Sequence, residues 1–288
     1  MIHLETENFR LIVDETHGAA VRLFDMRGSD EAWRPILEPL DTSCCDAGAS
    51  AMFAMLPFAN RARDNILVIG DRRIELARNT NDPHALHGTG WRRAWTVERA
   101  GRTHCDLSLQ PDASEPVRVA AKQCFRLTDD GLRVTLAVEN LCETPVPLGL
   151  GWHPYFPHMS GTLLKFDARF FWLEGPDHLP TEPVAVPPEL SFSSSRPVPA
   201  TWRNNCYQDW DGRAEILQPE LGYRLRLTAS AKLCHLMLYA PQTRVFALEP
   251  QSHVSGLTTV TDDGLRRMEP GETMAVWLDF MLSALPGE

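Results

Sequence analysis

A chain of 288 residues that is 43% hydrophobic and 23% charged can bury a sizeable core, so it requires neither a metal nor a disulfide staple. Its formal net charge of −10, with no basic stripe, argues against nucleic acid or an anionic membrane as a partner. Seven cysteines without a CxxC pair fit reduced thiols in the cytoplasm better than a disulfide framework. The start, MIHLETENFRLIVDE, has no basic stretch followed by an apolar run, so no signal peptide is expected. No window approaches the roughly 18 apolar residues of a membrane span.

Along the chain the dominant hydrophobic period is two, the mark of strands with one buried face. The first such pattern lies at 19–26. Residues 46–60, DAGASAMFAMLPFAN, predict one short helix ahead of Pro57. A hairpin is predicted over 65–77 about Gly70-Asp71, followed by strands at 94–100 and 105–110. A second hairpin turns at DDG, 129–131, a turn signal between two alternating runs. In its return strand Leu132, Val134, Leu136 and Val138 alternate with Arg133, Thr135, Ala137 and Glu139. Further strands are predicted at 163–173, 223–230, 236–240, 244–250 and 274–282. Residues 176–202, with seven prolines and the run SFSSS, read as a long loop within a domain, because strand patterns resume at once. So many strands at short spacing, without a long capped helix pattern, predict an all-β fold, a sandwich or barrel forming a single domain over 1–288.

Nucleotide motifs fail. GLGWHP at 149–154 begins like a phosphate loop, but Pro154 falls where the helix should open. There is no GxxxxGK[ST] loop and no GxSxG elbow. Cys234 and His235 are adjacent, which on a strand puts them on opposite faces and argues against a nucleophile–base pair. His84 and His87, in DPHALHGTGW, lack the further ligands a zinc site needs, so no metal is expected. They read as a polar loop, or as a loop rimming a pocket with His87 available to a polar ligand and Trp91 as a wall.

His153, in PLGLGWHPYFP at 147–157, has two readings: a satisfied core histidine, or a working imidazole in an aromatic-walled pocket. Pro154 places it at a strand end or edge, and aromatic faces with a few polar groups suit a sugar ring. Trp152, Tyr155 and Phe156 cannot all face such a pocket, since strand neighbours alternate. Glu249, in VFALEPQSH, shares a face with Val245 and Ala247, and Pro250 is expected to end that strand. It is either a rim carboxylate or one whose pKa is raised for general-base work. Asn60, Arg61 and Arg63, in PFANRARDN, form either a solvated loop or a fork for hydroxyls or a carboxylate.

Together and in this order, PFANRARD, HALHGTGW, GLGWHPYF and ALEPQSH resemble four segments of the aldose 1-epimerase (galactose mutarotase) family. The resemblance implies a large antiparallel β-sandwich, the supersandwich, with no cofactor and a monosaccharide as substrate. It implies Glu249 as general base and His153 as general acid, with His87, Arg61 and Asn60 orienting the sugar. The chain departs in one place: NNCYQDW, 204–210, puts Asn204 where the family has an aspartate that contacts sugar hydroxyls. Tyr207 then takes the aromatic place, and Asp209 lies nearby but out of register. An amide still hydrogen-bonds hydroxyls, without charge. A monomer or homodimer in the cytoplasm is expected.

On this reading Glu249 takes the C1 hydroxyl proton while His153, on the opposite side of the pocket, protonates O5; the aldehyde rotates about C1–C2 and the ring closes on its other face. Both groups charged near neutrality imply a bell-shaped pH profile. Three rival readings remain. One is a mutarotase for a phosphorylated or other anionic sugar, held by two or more of Arg61, Arg63, Arg92 and Arg93. Another is a non-catalytic carbohydrate-binding protein. The third is a glycosidase pairing Glu249 with Asp209 or Asp279.

Overall fold

The computed structural model describes residues 1–44, 46–256, 258–261 and 264–285. Two large antiparallel sheets, of eleven and nine strands, make up most of it, as the alternating pattern requires. The larger sheet runs in the order Ile2–Glu5, Phe9–Asp14, Ala20–Arg27, Met52–Met55, Gly151–Pro157, Val245–Gln251, His235–Ala240, Arg203–Gln208, Phe170–Glu174 and Pro180–Ala185, with Trp33–Leu37 beside Ala20–Arg27. The smaller runs Thr96–Ala100, His104–Leu109, Val119–Thr128, Gly131–Asn140, Thr273–Ala284, Tyr223–Ala229, Arg213–Gln218, Leu163–Phe166 and Arg196–Pro197. The core is the layer between them. Leu132, Val134, Leu136 and Val138 all point into it, and Phe280 of the smaller sheet meets Phe24 and Phe156 of the larger with ring centroids 6.2 and 6.4 Å apart. The all-β fold is therefore the one the period-two pattern demands.

Several elements differ from the sequence expectation. Residues 46–60 hold a 3₁₀ turn, Ala47–Ala49, and then a strand, Met52–Met55, rather than a helix. Every residue of that strand is buried, and it pairs with Gly151–Pro157; two-sided burial gives a run without alternation, which periodicity cannot tell from helix. The stretch 163–173 is two strands in different sheets, Leu163–Phe166 and Phe170–Glu174, with the chain crossing over at Asp167–Arg169. No glycine or proline marks that crossing. The proline-rich 176–202 segment contains the edge strand Pro180–Ala185 and the short strand Arg196–Pro197; an edge leaves one side unpaired, so prolines are tolerated there. Cys234 precedes the strand His235–Ala240 rather than lying in it, so its Sγ reaches His235 Nδ1 at 3.4 Å. No helix among the described residues is long and apolar enough to cross a membrane.

Candidate active site

Two central strands of the larger sheet create the site. On Gly151–Pro157, Trp152 and Phe156 point into the core between the sheets, while His153 and Tyr155 point to the outer face. On the neighbouring Val245–Gln251, Val245 and Ala247 join Tyr155, Phe53 and Trp91 in an apolar patch on that outer face, and Glu249 lies on the same side. The two strands are in register at Gly151↔Gln251 and Tyr155↔Ala247, which sets His153 opposite Glu249. The ladder skips the stretch between those pairs, where Pro154 and Pro250 supply no N–H. Pro250 does not end its strand, which continues to Gln251.

His153 Nε2 lies 3.1 Å from Glu249 Oε1, with both side chains almost fully buried. The acid and base expected on opposite sides of a pocket are direct neighbours. Each keeps a second buried polar atom, His153 Nδ1 and Glu249 Oε2, with no hydrogen-bond partner among the described residues. Phe53 stacks on His153 from the strand on its other side, at 4.9 Å between centroids, and His87 meets it edge-on at 5.4 Å. Burial pushes Glu249 up to about 8, against the Arg61 charge that pulls it down, and pushes His153 down to about 3. Both directions oppose the charges that the acid and base roles imply. Burial and the neighbouring Glu249 also hold the Tyr155 hydroxyl well above its usual range.

A cavity of about 190 Å³ opens over this pair. One side is built by the loops that carry Asn60, Arg61 and His87. The Asn60 N–H donates to His87 Nδ1 at 3.0 Å, and the His87 N–H donates to the Asn60 carbonyl at 2.8 Å. That reciprocal clasp fixes the imidazole tautomer, leaving Nε2–H as a donor. Burial and the neighbouring His153 keep His87 neutral. Asn60 and His87 both hold positive φ, 58° and 57°, a costly conformation that clusters at binding sites. Gly88 follows at φ 65°, and a Cβ there would come within 2.1 Å of the Leu56 carbonyl oxygen. The Trp91 indole N–H donates to the Gly88 carbonyl at 3.0 Å, which turns the ring into the cavity wall. Arg61 reaches Asp82 through Nε and Nη2, each at 2.9 Å, and Asn60 Oδ1 through Nη1 at 3.3 Å.

Asn204, His178, Trp202 and Tyr239 form the far wall. Asn204 lines the cavity, but Tyr207 does not: it is buried in the core among Phe166, Phe171 and Phe192, and its hydroxyl donates to the Leu190 carbonyl at 2.9 Å. Three residues apart on one strand, Asn204 and Tyr207 must face opposite sides. Asp209 falls outside the cavity lining, and Asp279 is tied to Arg133 at 2.6 Å, on the other sheet. His84 also lies outside the lining, accepting the Asp64 N–H at 3.3 Å through Nδ1. Of the residues that sequence reasoning missed, His178 and Trp202 sit at the two ends of the proline-rich segment. Aromatic residues flanking a long loop were the available signal.

Comparison with known proteins gives the family and agrees with the fold. The sequence model of the family described as "Aldose 1-epimerase" matches residues 1–280. A protein of Escherichia coli K12 described as "Uncharacterized protein YphB" is 34% identical over 260 residues, covering 85% of this chain and 86% of that protein. A solved structure from Escherichia coli K12, provisionally described as an aldose 1-epimerase, superposes with a TM-score of 0.89 at 29% identity, covering 99% of both chains. A galactose mutarotase-like protein of Clostridium acetobutylicum superposes with a TM-score of 0.83 over 98% of this chain and 95% of its own; at 16% identity it is similar in fold.

Proposed function

The chain belongs to the aldose 1-epimerase family, and from that premise we propose that it interconverts the α and β anomers of an unphosphorylated aldohexose by acid–base ring opening, with Glu249 as base and His153 as acid. The observation that carries this reading is the buried pair itself, 3.1 Å apart at the floor of a small aromatic-walled cavity. The two atoms that exchange protons in ring opening, the C1 hydroxyl oxygen and the ring oxygen O5, are bonded to one carbon. Neighbouring groups serve them better than groups facing each other across a pocket. The cavity's 190 Å³ is below the roughly 300–1,000 Å³ of sites for drug-sized ligands, which suits one sugar ring.

The proton inventory is consistent. Between the two values toward which burial drives them, about 3 and about 8, the pair holds one mobile proton. Carboxylate with imidazolium, and carboxylic acid with imidazole, are two arrangements of that one proton. They are also the states before and after ring opening. Glu249 takes the hydroxyl proton, the C1–O5 bond breaks, and O5 receives the proton of His153. Rotation about C1–C2 and the reverse transfer close the ring on the other face. Arg61 favours the ionised carboxylate, and the His87 Nε2–H, Asn60 and Asn204, which line the cavity, would hold hydroxyls.

The anionic-sugar reading lacks its clamp. Arg63 donates to the Pro180 carbonyl at 2.9 Å and Arg93 to the Gln110 carbonyl at 2.7 Å, while Arg92 turns to the Asn79 carbonyl. Arg61 alone of the four lines the cavity, and Asp82 already holds it. Among the described residues one carboxylate lines the cavity, Glu249, whereas a glycosidase needs two. Polarimetry of freshly dissolved α-glucose and α-galactose, and of glucose 6-phosphate, tests the proposal. The neutral sugars should equilibrate faster than their spontaneous drift. Acceleration of the phosphate alone would select the rival, and no acceleration of any would leave a binding protein.

A further inference from the structure

The far wall of the cavity is organised from behind by a carboxylate that no motif marks. Asn204, His178 and Trp202 line the cavity, and Glu174 sits outside that lining. Asn204 Nδ2 donates to Glu174 Oε1 at 2.9 Å, His178 Nδ1 lies 2.6 Å from the same oxygen, and Trp202 Nε1 donates to Oε2 at 3.3 Å. His178, four residues on from Glu174, and the near neighbours Trp202 and Asn204 thus converge on one side chain. The backbone is shaped for this. The ladder between Phe170–Glu174 and Pro180–Ala185 shifts register between Trp172 and Glu174, the kind of irregularity that re-aims a side chain. Asp177 and His178 both hold positive φ, 55° and 58°, a strained conformation for residues other than glycine.

A carboxamide carries its donor and its acceptor on separate atoms of one plane. With one Nδ2–H tied back to Glu174, the second N–H and the carbonyl Oδ1 remain, and Oδ1 is the acceptor that Asn204 can offer the cavity. We propose that Glu174 is a positioning residue: it holds Asn204 as a hydrogen-bond acceptor for a sugar hydroxyl, and holds His178 and Trp202 as the wall around that acceptor. The charge that would contact the hydroxyl directly from an aspartate stands one residue further back and acts through the amide. The proposal rests on the reading of the cavity as an aldohexose site.

The test compares wild type, Glu174→Gln, Asn204→Asp and the double variant by polarimetry and by calorimetric titration with galactose and glucose, after circular dichroism has shown each to be folded. Glu174→Gln places an amide donor where three donors converge, and Asn204→Asp sets two carboxylates against each other. Each single change should weaken sugar binding and raise KM about tenfold, the worth of one hydrogen bond involving a charged group, with kcat within about twofold. The double variant restores the bond with donor and acceptor exchanged and should recover most of the loss. Single variants with unchanged KM and affinity, or a double variant whose losses multiply, would overturn the proposal. If wild type binds sugar without accelerating mutarotation, the catalytic reading falls while the binding data still decide the role of Glu174. If it binds neither sugar, both fall.

Discussion

The buried pair makes a prediction about stability as well as catalysis. The ordinary values are 4.5 for a glutamate and 6.5 for a histidine; burial takes Glu249 up to about 8 and His153 down to about 3. Between pH 4.5 and 6.5 the unfolded chain carries one proton on these two groups, the imidazolium's, and the native pair also carries one, so stability is level with respect to them. Above 6.5 the unfolded chain has released both protons while the native pair keeps one until about 8. The native state then binds more protons, and stability falls as pH rises. The loss is 8 − 6.5 = 1.5 pH units at about 1.36 kcal/mol each, or about 2 kcal/mol. Below 4.5 the unfolded chain takes a second proton that the native pair refuses until about 3, and stability falls again on that side. In Glu249→Gln only His153 remains, and above pH 6.5 it is neutral in both states. The assay is urea unfolding of wild type and variant at a series of pH values, with the difference taken so that all other groups cancel. The variant should gain about 2 kcal/mol on wild type between pH 6.5 and 8. A difference that stays level across that window would refute the claim that Glu249 is buried and protonated in the native pair.

Other consequences are more direct. Glu249→Gln and His153→Asn should each lower kcat for mutarotation by about 10² to 10⁴; polarimetry showing wild-type rates in either would remove that residue from its role. For wild type, kcat/KM should fall as pH rises through about 8, where the pair loses its proton; a basic limb at the ordinary histidine value of 6.5 would contradict the burial argument. Tyr207→Phe removes the hydrogen bond to the Leu190 carbonyl and should cost about 1 kcal/mol in urea unfolding with KM unchanged; a raised KM would return Tyr207 to the site. Gly88→Ala drives a Cβ against the Leu56 carbonyl at a positive φ. It should destabilise by more than about 1 kcal/mol and raise KM through His87, and an unchanged melting temperature would show that the loop is not so constrained.

The sequence by itself determined the architecture, because a period of two with polar turns admits little but an antiparallel sheet, and burial enforces which face each strand residue takes. Thus Leu132 to Val138 and the split of Trp152 and Phe156 from His153 follow from alternation alone. Alternation also rules out Asn204 and Tyr207 as neighbours in one cavity, a constraint the segment match had overridden. His153, Glu249, His87, Arg61, Asn60 and Asn204 were legible because each sits in a short segment of distinctive residues, and all six line one cavity. Only the tertiary structure decided what depends on distant partners. The 3.1 Å contact between His153 and Glu249 is a matter of strand register, set by the pairs on either side of two prolines. The placement of His178 and Trp202, and the carboxylate of Glu174 behind them, depends on strands that pair across the sheet. Sequence separation carries no record of such pairing, and the charge state of a buried group exists only once the protein around it has excluded water.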